Sequence, residues 1–541
     1  MSGVFVQQLQ PIADSLALSA LVAALPLLTV LVLLGAVRMR AHHAGLIGLA
    51  VALVTAWAGS GMPVTQALSS AVQGAVFGLF PIMWIVVNAL WVYRMTVRTH
   101  HFDVLRRSFS RLSDDPRIQA LVIAFCFGAL LEALAGFGAP VAISAVMLVA
   151  LGFDPVKAAV VALVANTAPV AFGAMGTPVV TLAQVTGLPL DSVASVVGRQ
   201  TPLLALVVPL LLVALVDGRR GLRETWLPAL TCGVAFAAVQ FAAANFVSAQ
   251  LADIGAALAG AAALVAVPAA RRPASADVRA AVLTGARSED LDVRDSRRET
   301  VRAYAPYGLI IVIFSLAQIP PFKDWAAAAT QSFDWPLLDV AGPDGKPVGG
   351  NVLALPLVAT GGTLVLLAGL VTAAVLGVRA GSAAREWLAT VHELRFAILT
   401  VTSVLALAYV MNLSGQAATI GHFVAAAGAG LAFLSPVLGW FGVAVTGSDT
   451  SANALFGALQ VTAAQQSGLG PELLAAANSS GGVLGKMISP QNLTIACAAV
   501  GLAGREGDLL RKVLPWSLVL LLVMCLIVLG QSTAALGWML P

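Results

Sequence analysis

Charged residues are scarce in this chain. Only 10% of its 541 residues are Asp, Glu, Lys or Arg, and 59% are hydrophobic, whereas a soluble domain is roughly 25% charged. A chain with so little charge cannot cover a surface that faces water, so the sequence excludes an ordinary soluble protein and predicts a polytopic membrane protein. The few basic residues cluster between apolar runs. Such clusters orient membrane helices and do not indicate nucleic-acid binding.

Cysteine is also scarce, and motifs for phosphate or metal binding are missing. The four cysteines, Cys126, Cys232, Cys497 and Cys525, lie in apolar runs without CxxC spacing. This predicts small buried side chains rather than a disulfide or metal framework. The sequence has no Walker-type phosphate loop, no HExxH motif and no Ser/His/Asp arrangement. We therefore expect no metal, no cofactor, no ATP hydrolysis and no enzymatic activity.

One stretch of the chain occurs twice. Residues 165–178 read ANTAPVAFGAMGTP, and residues 477–490 read ANSSGGVLGKMISP. The copies align without a gap and share Ala-Asn, a hydroxyl residue, Gly, Met, a second hydroxyl residue and Pro. Asn, Gly and Pro together unwind a helix, and within a membrane a break persists only where it is buried in protein or lines a watery cavity. Two matching broken segments indicate the substrate site of a transporter.

Apolar runs of about 20 residues and the basic loops between them predict twelve membrane spans. Arg38 and Arg40 follow the first run, and a group of arginines between residues 94 and 117 follows the third. The positive-inside rule places these loops in the cytoplasm and both termini outside. No basic region precedes the first run, so we interpret it as a membrane helix rather than a cleaved signal. The runs are 15–37, 44–59, 67–93, 156–185, 192–216, 226–247, 251–267, 304–320, 351–378, 396–413, 472–502 and 515–537.

Two further apolar segments, 118–152 and 424–466, are predicted to be re-entrant hairpins. The first is interrupted at residues 132–140 and could instead be one bent span. The charges favour the hairpin, because two full spans after it reach the basic loop 219–223 in the cytoplasm only if the segment does not cross. The second segment carries a polar tip at residues 446–453.

The two halves of the chain repeat one pattern in opposite orientations. Each half has three spans, a hairpin, a broken helix and a final span, and such inverted-topology repeats are typical of secondary transporters. The predicted fold is an all-α polytopic membrane protein. Its first repeat is 1–217, with broken helix 156–185, and its second is 303–541, with broken helix 472–502. Residues 218–302 form a connecting helix pair and a cytoplasmic linker.

Four stretches resemble the L-lactate permease family: residues 127–140, 165–178, 447–457 and 477–491. The resemblance implies proton-coupled uptake of L-lactate and related short 2-hydroxy monocarboxylates, such as glycolate, across the bacterial inner membrane. It also implies an ion-transporter-superfamily-like fold, in which hairpin tips meet broken helices. Carriers in that superfamily often use sodium, so a sodium-coupled carrier of another small organic anion is the alternative. The oligomeric state stays open.

A site for lactate needs hydrogen-bond donors for the carboxylate. For the hydroxyl it needs a group that can both donate and accept a hydrogen bond. Half-helix N-termini favour anions. The polar residues of the two broken segments supply both kinds of group, unless they only satisfy the freed backbone. The hairpin tips are predicted to cover the substrate. The predicted substrate-binding residues are Asn166, Thr167, Asn478, Ser479, Ser480, Lys486, Gly136, Gly138, Ser448, Thr450, Ser451 and Asn453.

Three of the charged residues inside apolar segments are candidates for the site. Lys486 aligns with Ala174 of the other copy, and an intramembrane lysine indicates a functional site. We expect it to bind the substrate carboxylate or to fill a cation site that relatives give to sodium, with a snorkelling side chain as the alternative. Glu132 and Asp449, at the two hairpin tips, are candidates for the coupled proton because a buried carboxylate can titrate near neutral pH. Asp449 could instead only cap the helix that follows it.

Overall fold

The computed structural model describes residues 4–136, 138–271, 274–285 and 295–541. Within these ranges nine helices are long and apolar enough to cross a membrane, or eleven if each of two bent pairs counts as one span. The chain is therefore a mostly helical, multi-pass membrane protein, as predicted. Phe137 of the first predicted hairpin tip and part of the predicted linker, including Ser288, lie outside the described residues.

The first half of the chain is built from helices joined by short turns. Tighter or wider helical turns continue several of them, at Thr55–Gly59, Gly78–Met83, Leu121–Phe127, Val170–Phe172 and Ala249–Leu251. The α-helices of this part are Leu16–Gly35, Ala41–Val54, Val64–Phe77, Trp84–Arg98, His101–Ser110, Pro116–Ala120, Gly128–Ala135, Ala139–Ala150, Pro155–Ala165, Gly173–Thr186, Leu190–Phe246, Ala252–Ala266 and Ala276–Val282.

The second half has a similar make-up. Short 3-10 turns lie at Gly349–Asn351, Ala425–Gly430, Lys486–Ile488 and Gly537–Met539. The α-helices are Arg297–Ala317, Pro320–Ala328, Gly361–Val375, Ala380–Glu393, Arg395–Leu413, Gln416–Val424, Leu431–Thr446, Asp449–Ser467, Pro471–Gly485, Pro490–Ala499 and Glu506–Gln531.

The fold is not purely α-helical. Phe5–Val6 pairs in parallel with Val340–Ala341, and Gln331–Asp334 pairs antiparallel with Val352–Leu355. The strands lie near the N-terminus, between the predicted spans 304–320 and 351–378, and at the start of the second of these spans. They also correct the predicted span 351–378, which is helical only at Gly361–Val375, because its first residues pair as a strand.

The 57-residue helix Leu190–Phe246 reverses its direction. Its backbone leaves helical geometry at Asp217, Gly218 and Thr225. Beyond that turn, a Cβ placed on Gly233 would lie 2.7 Å from the carbonyl oxygen of Leu206, so the two arms pack closely side by side. The predicted spans 192–216 and 226–247 are therefore the two arms of this bent helix.

Both segments predicted as hairpins fold back on themselves. In the first hairpin, residues 116–150, Ser144 Oγ on the second arm donates to the Ile123 carbonyl on the first at 3.3 Å. In the second hairpin, residues 431–467, Ser435 Oγ donates to Gln460 Oε1 at 3.0 Å. The second begins at 431 rather than 424, because residues 416–430 form a separate helix and turn.

The two repeated stretches share a break at aligned positions, Ala174–Gly176 in the first and Lys486–Ile488 in the second, and the first stretch also leaves its helix earlier, after Ala165. The first broken segment, residues 155–186, bends by 65°, and Ala174, Met175 and Gly176 have positive φ angles. The second broken segment, residues 471–499, breaks only at Lys486–Ile488.

The expectation that Asn478, Ser479 and Ser480 lie at a break is therefore wrong, because all three are inside the helix Pro471–Gly485. The glycines that follow serve close packing instead. A Cβ on Gly481 would lie 2.1 Å from the Pro436 carbonyl oxygen of the second hairpin.

Candidate functional site

A cavity lies between the two hairpin tips and the first turns of helices Ala41–Val54 and Arg395–Leu413. Its volume is about 130 Å³. One water needs roughly 10–15 Å³ on such a measure, so the cavity has room for several waters or a small solute. The predicted site residues that line it are Glu132, Gly136, Ser448, Asp449, Thr450, Ser451 and Lys486.

Lys486 and Glu132 form a buried ion pair in the wall of this cavity. Lys486 Nζ donates to Glu132 Oε1 at 2.5 Å, and Asn166 Nδ2 donates to Glu132 Oε2 at 2.9 Å. The carboxylate therefore receives one hydrogen bond from each broken segment. Only 3% of Glu132 and 6% of Lys486 are exposed, so each charge depends on the other for its stabilisation.

Because Gly173 has no side chain, the Glu132 side chain can occupy the space beside it. A Cβ on Gly173 would lie 2.8 Å from Glu132 Oε1 and 3.0 Å from its Cγ. The φ of Gly173 is −62°, an angle that any residue adopts, so this position needs glycine for its lack of a side chain. The break in the first segment thus brings an open stretch of backbone against the carboxylate.

Asp449 has one oxygen in a network and one that is free. Its Oδ2 accepts hydrogen bonds from Ser479 Oγ at 2.6 Å and from Asn453 Nδ2 at 3.4 Å. Its Oδ1 is buried and has no hydrogen-bond partner among the residues that the structure describes. The helix begins at Asp449, and Ser448 is its cap, since Ser448 Oγ accepts from the Ser451 amide at 3.3 Å. The interpretation of Asp449 as the cap is therefore wrong.

Asn453 and Asn478 join the second hairpin to both broken segments behind the cavity wall. Asn478 Nδ2 donates to Asn453 Oδ1 at 2.9 Å. Asn453 Nδ2 donates to the Pro178 carbonyl oxygen at 3.1 Å and to Ser479 Oγ at 3.2 Å. This arrangement positions the elements of the site, and neither asparagine lines the cavity.

The remaining predicted site residues also lie outside the cavity lining. Thr167 Oγ1 donates to the Val164 carbonyl oxygen at 2.7 Å, so it satisfies its own backbone. Gly138 has a φ of +88°, and a Cβ there would lie 2.5 Å from Ile495, so it serves the tight tip and its packing. Ser480 Oγ is buried without a hydrogen-bond partner in the described ranges.

The sequence analysis missed Asp253 and Gln240. Gln240 Nε2 donates to Asp253 Oδ1 at 3.0 Å and to the Ala168 carbonyl oxygen at 3.3 Å. Both side chains are fully buried. An acidic residue inside the apolar run 251–267 is the signal that would have identified Asp253, because the same criterion selected Glu132.

The cysteines are buried and free, as predicted. Cys126 Sγ and Cys232 Sγ are 3.6 Å apart, without a bond between them. Among the described residues, no cluster of three His, Cys, Asp or Glu side chains could hold a metal ion.

Comparison with known proteins places this chain in a family. A family model described as L-lactate permease matches residues 19–533. The L-lactate permease of Bacillus subtilis (strain 168) is 41% identical over 561 residues, which cover 99% of each chain. The glycolate permease GlcA of Escherichia coli (strain K12) is 38% identical over 545 residues, 96% of this chain and 97% of its own. Among solved structures, the YdaH transporter of Alcanivorax borkumensis covers 87% of this chain and 88% of its own at 16% identity, with a TM-score of only 0.46. The family match and the two permeases show that this chain belongs to the L-lactate permease family.

Proposed function

We propose that this protein is a secondary active transporter that takes up L-lactate, and related short 2-hydroxy monocarboxylates such as glycolate, together with a proton. The observation that carries the proposal is the Lys486–Glu132 pair in the cavity wall. The Lys486 ammonium group can bind a small carboxylate, and the Glu132 carboxylate beside it can carry a proton. The names of the related L-lactate and glycolate permeases support the same substrate class.

The proposed site works by competition for Lys486. In this conformation Glu132 neutralises the lysine. A substrate carboxylate that binds Lys486 displaces Glu132, which then takes up a proton because an unpaired buried carboxylate is costly. The cavity-lining hydroxyl groups of Ser448, Thr450 and Ser451 are candidates for the substrate hydroxyl.

A coupled proton overcomes the membrane potential. Moving a single negative charge inward against a negative-inside potential costs about 2.3 kcal/mol per 100 mV. One proton per substrate anion makes the transport step electroneutral, so a pH gradient alone can drive accumulation. Glu132 is the proposed carrier of this proton, and Asp449, with its free Oδ1, is the second candidate.

We further propose twelve spans in the inner membrane, two re-entrant hairpins and both termini outside. Residues 1–217 and 303–541 are then inverted repeats, and residues 218–302 connect them. The cavity borders Ala41 and Ala397, near the basic residues Arg40 and Arg395. By the positive-inside rule these arginines lie at the cytoplasmic side. The cavity is therefore closest to the cytoplasm, and the substrate would leave the site in that direction.

Cysteine labelling tests the topology. The four native cysteines are buried, so a membrane-impermeant maleimide should label the wild-type protein weakly. Asp344→Cys should react from outside in intact cells, and Arg385→Cys only after the membrane is opened. The reverse pattern contradicts the proposed orientation.

Uptake into proteoliposomes tests the function. Labelled L-lactate should accumulate under an inward pH gradient, and glycolate should compete with it. Lys486→Gln should abolish uptake, whereas Lys323→Gln is the matched control, because the Lys323 side chain is 58% exposed and does not line the cavity. Accumulation that follows a sodium gradient and ignores the pH gradient would support the alternative, a sodium-coupled carrier of a small organic anion.

A further inference from the structure

Asp253 and Gln240 form a buried pair that the proposed function leaves unused. Asp253 is the second residue of helix Ala252–Ala266, and Gln240 lies in the second arm of the bent helix Leu190–Phe246. Each is fully buried, and Gln240 Nε2 donates to Asp253 Oδ1 at 3.0 Å. The Asp253 carboxyl group has no exposed surface in this conformation, so the protein must stabilise either its charge or its neutral form.

The hydrogen bonding fits the neutral form. Asp253 Oδ2 and Gln240 Oε1 are both buried without a hydrogen-bond partner among the described residues. An ionised Asp253 has acceptors only, so these two oxygens cannot satisfy each other. A proton on Oδ2 supplies the missing donor. The neutral acid still accepts from Gln240 Nε2 at Oδ1, and its O–H group is a donor of the kind that Gln240 Oε1 lacks.

The charges around Asp253 also favour its neutral form. The charged groups that act on it are Glu132 and Lys486, and its helix packs against the helix Gly128–Ala135 that carries Glu132. The thiols of Cys126 and Cys232 flank Gly260, about two turns further along. Lys486 already pairs with Glu132 at 2.5 Å, so an ionised Asp253 would leave one buried negative charge without a cation.

Gln240 also connects Asp253 to the site. The same Nε2 that donates to Asp253 donates to the Ala168 carbonyl oxygen of the first broken segment at 3.3 Å. Asn166, two residues earlier, holds the Glu132 carboxylate at 2.9 Å. A change in the Asp253 side chain therefore reaches the backbone that positions Glu132.

We propose that Asp253 carries a proton in this conformation and supplies it to Glu132 when a substrate carboxylate occupies Lys486. This inference rests on the proposed proton coupling. The O–H bond at Asp253 Oδ2 breaks and an O–H bond forms on the Glu132 carboxylate, which leaves Asp253 ionised. Residues 247–251, just before Asp253, form the loop that the proposed topology places outside, so the proton that Asp253 loses would be replaced from the outer solution. One proton accompanies each anion.

Infrared difference spectroscopy on the purified full-length protein tests whether Asp253 is protonated, without relying on transport. Wild-type protein at neutral pH should show the carbonyl-stretch band of a buried carboxylic acid, shifted in heavy water. The band should lose intensity in Asp253→Asn and stay unchanged in Asp191→Asn, whose side chain is 93% exposed. A wild-type protein without this band, or an Asp253→Asn protein with the same band as the wild type, overturns the inference.

Proteoliposomes test the transfer itself. Asp253→Asn keeps an amide donor toward Gln240 but cannot release a proton. We expect lactate-driven proton uptake to fall by about tenfold or more while exchange of labelled for unlabelled lactate stays near the wild-type rate. The double variant Asp253→Asn/Gln240→Glu keeps one acid and one amide in the pair and should regain part of the proton uptake.

The outcomes separate this inference from the proposed function. Asp253→Asn with wild-type proton uptake overturns the role of Asp253 in transfer even if lactate and protons are coupled. A wild-type protein that moves lactate without protons refutes the proposed coupling, and the infrared band then still decides whether Asp253 is protonated.

Discussion

Lys486 Nζ and Glu132 Oε1 are 2.5 Å apart, although 354 residues separate them in the chain. The contact joins the second broken segment to the tip of the first hairpin, and Asn166 from the first broken segment completes it. Three elements from both halves therefore meet at one carboxylate. Because Glu132 already neutralises the lysine, the proposed mechanism requires the substrate carboxylate to exchange partners with Glu132.

Glu132→Gln should separate proton coupling from substrate binding. Glutamine keeps the shape of protonated glutamate and can still accept from Lys486, but it cannot release a proton. We expect accumulation of lactate under a pH gradient to fall to the level of protein-free liposomes, while exchange of labelled for unlabelled lactate continues. Uptake and exchange in the same proteoliposomes measure both quantities.

The control for this variant is Glu472→Gln at the beginning of the second broken segment, away from the cavity lining. It should transport like the wild type. If Glu132→Gln still accumulates lactate under a pH gradient, another group carries the proton, and Asp449→Asn becomes the next variant to measure.

Lys486→Gln should destabilise the protein as well as stop transport. It leaves the buried Glu132 without its cation, and loss of one partner from a buried ion pair costs roughly 3–5 kcal/mol. The double variant Lys486→Gln/Glu132→Gln removes both charges, so it should regain most of the thermal stability but none of the uptake. Thermal unfolding in detergent and lactate uptake separate the two effects. A double variant no more stable than the lysine variant would show that the pair is not coupled.

Gly173→Ala should impair transport by displacing the Glu132 carboxylate. The added Cβ would meet Oε1 at 2.8 Å, and overpacking of this kind costs roughly 1–3 kcal/mol. We expect a lower rate of lactate uptake from a protein that still folds. Gly308→Ala is the matched control, because a Cβ there meets no atom within 4 Å. Equal uptake by the two variants would contradict the close fit at Gly173.

The sequence predicted the elements of the site better than their contacts. Hydropathy and loop charge identified most of the membrane helices and both helical hairpins, because membrane burial acts on whole segments. The alignment of the two broken stretches identified Lys486 as the one charged difference between them. It also suggested that Asn478 lies at a break, although its helix continues to Gly485.

That error has a physical reason. Glycine either releases a backbone from helical geometry or allows another helix to approach closely, and only the tertiary structure decides between the two. In the second copy, Gly481, Gly482 and Gly485 face the second hairpin and its tip, so the helix continues. The pairing of Glu132 with Lys486 is likewise a long-range contact that the local pattern does not contain.

The last prediction concerns a polar contact outside the membrane spans that joins the first repeat to the connecting segment 218–302. Asp295 precedes helix Arg297–Ala317 and accepts a hydrogen bond from Arg107 Nε at 2.9 Å. Its side chain is only 7% exposed, and the hydrogen bond from Arg107 holds the pKa of Asp295 below its ordinary value of about 3.9. A depressed carboxyl pKa stabilises the folded protein above that ordinary value, and the stabilisation is lost as pH falls through the folded pKa.

Asp295→Asn should therefore lower the stability by roughly 1–3 kcal/mol at neutral pH, with a difference from the wild type that shrinks in acid. Thermal unfolding across a pH series measures this, with the exposed Asp324→Asn as the control. A deficit that is the same at neutral and at acidic pH would show that the charge of Asp295 does not contribute.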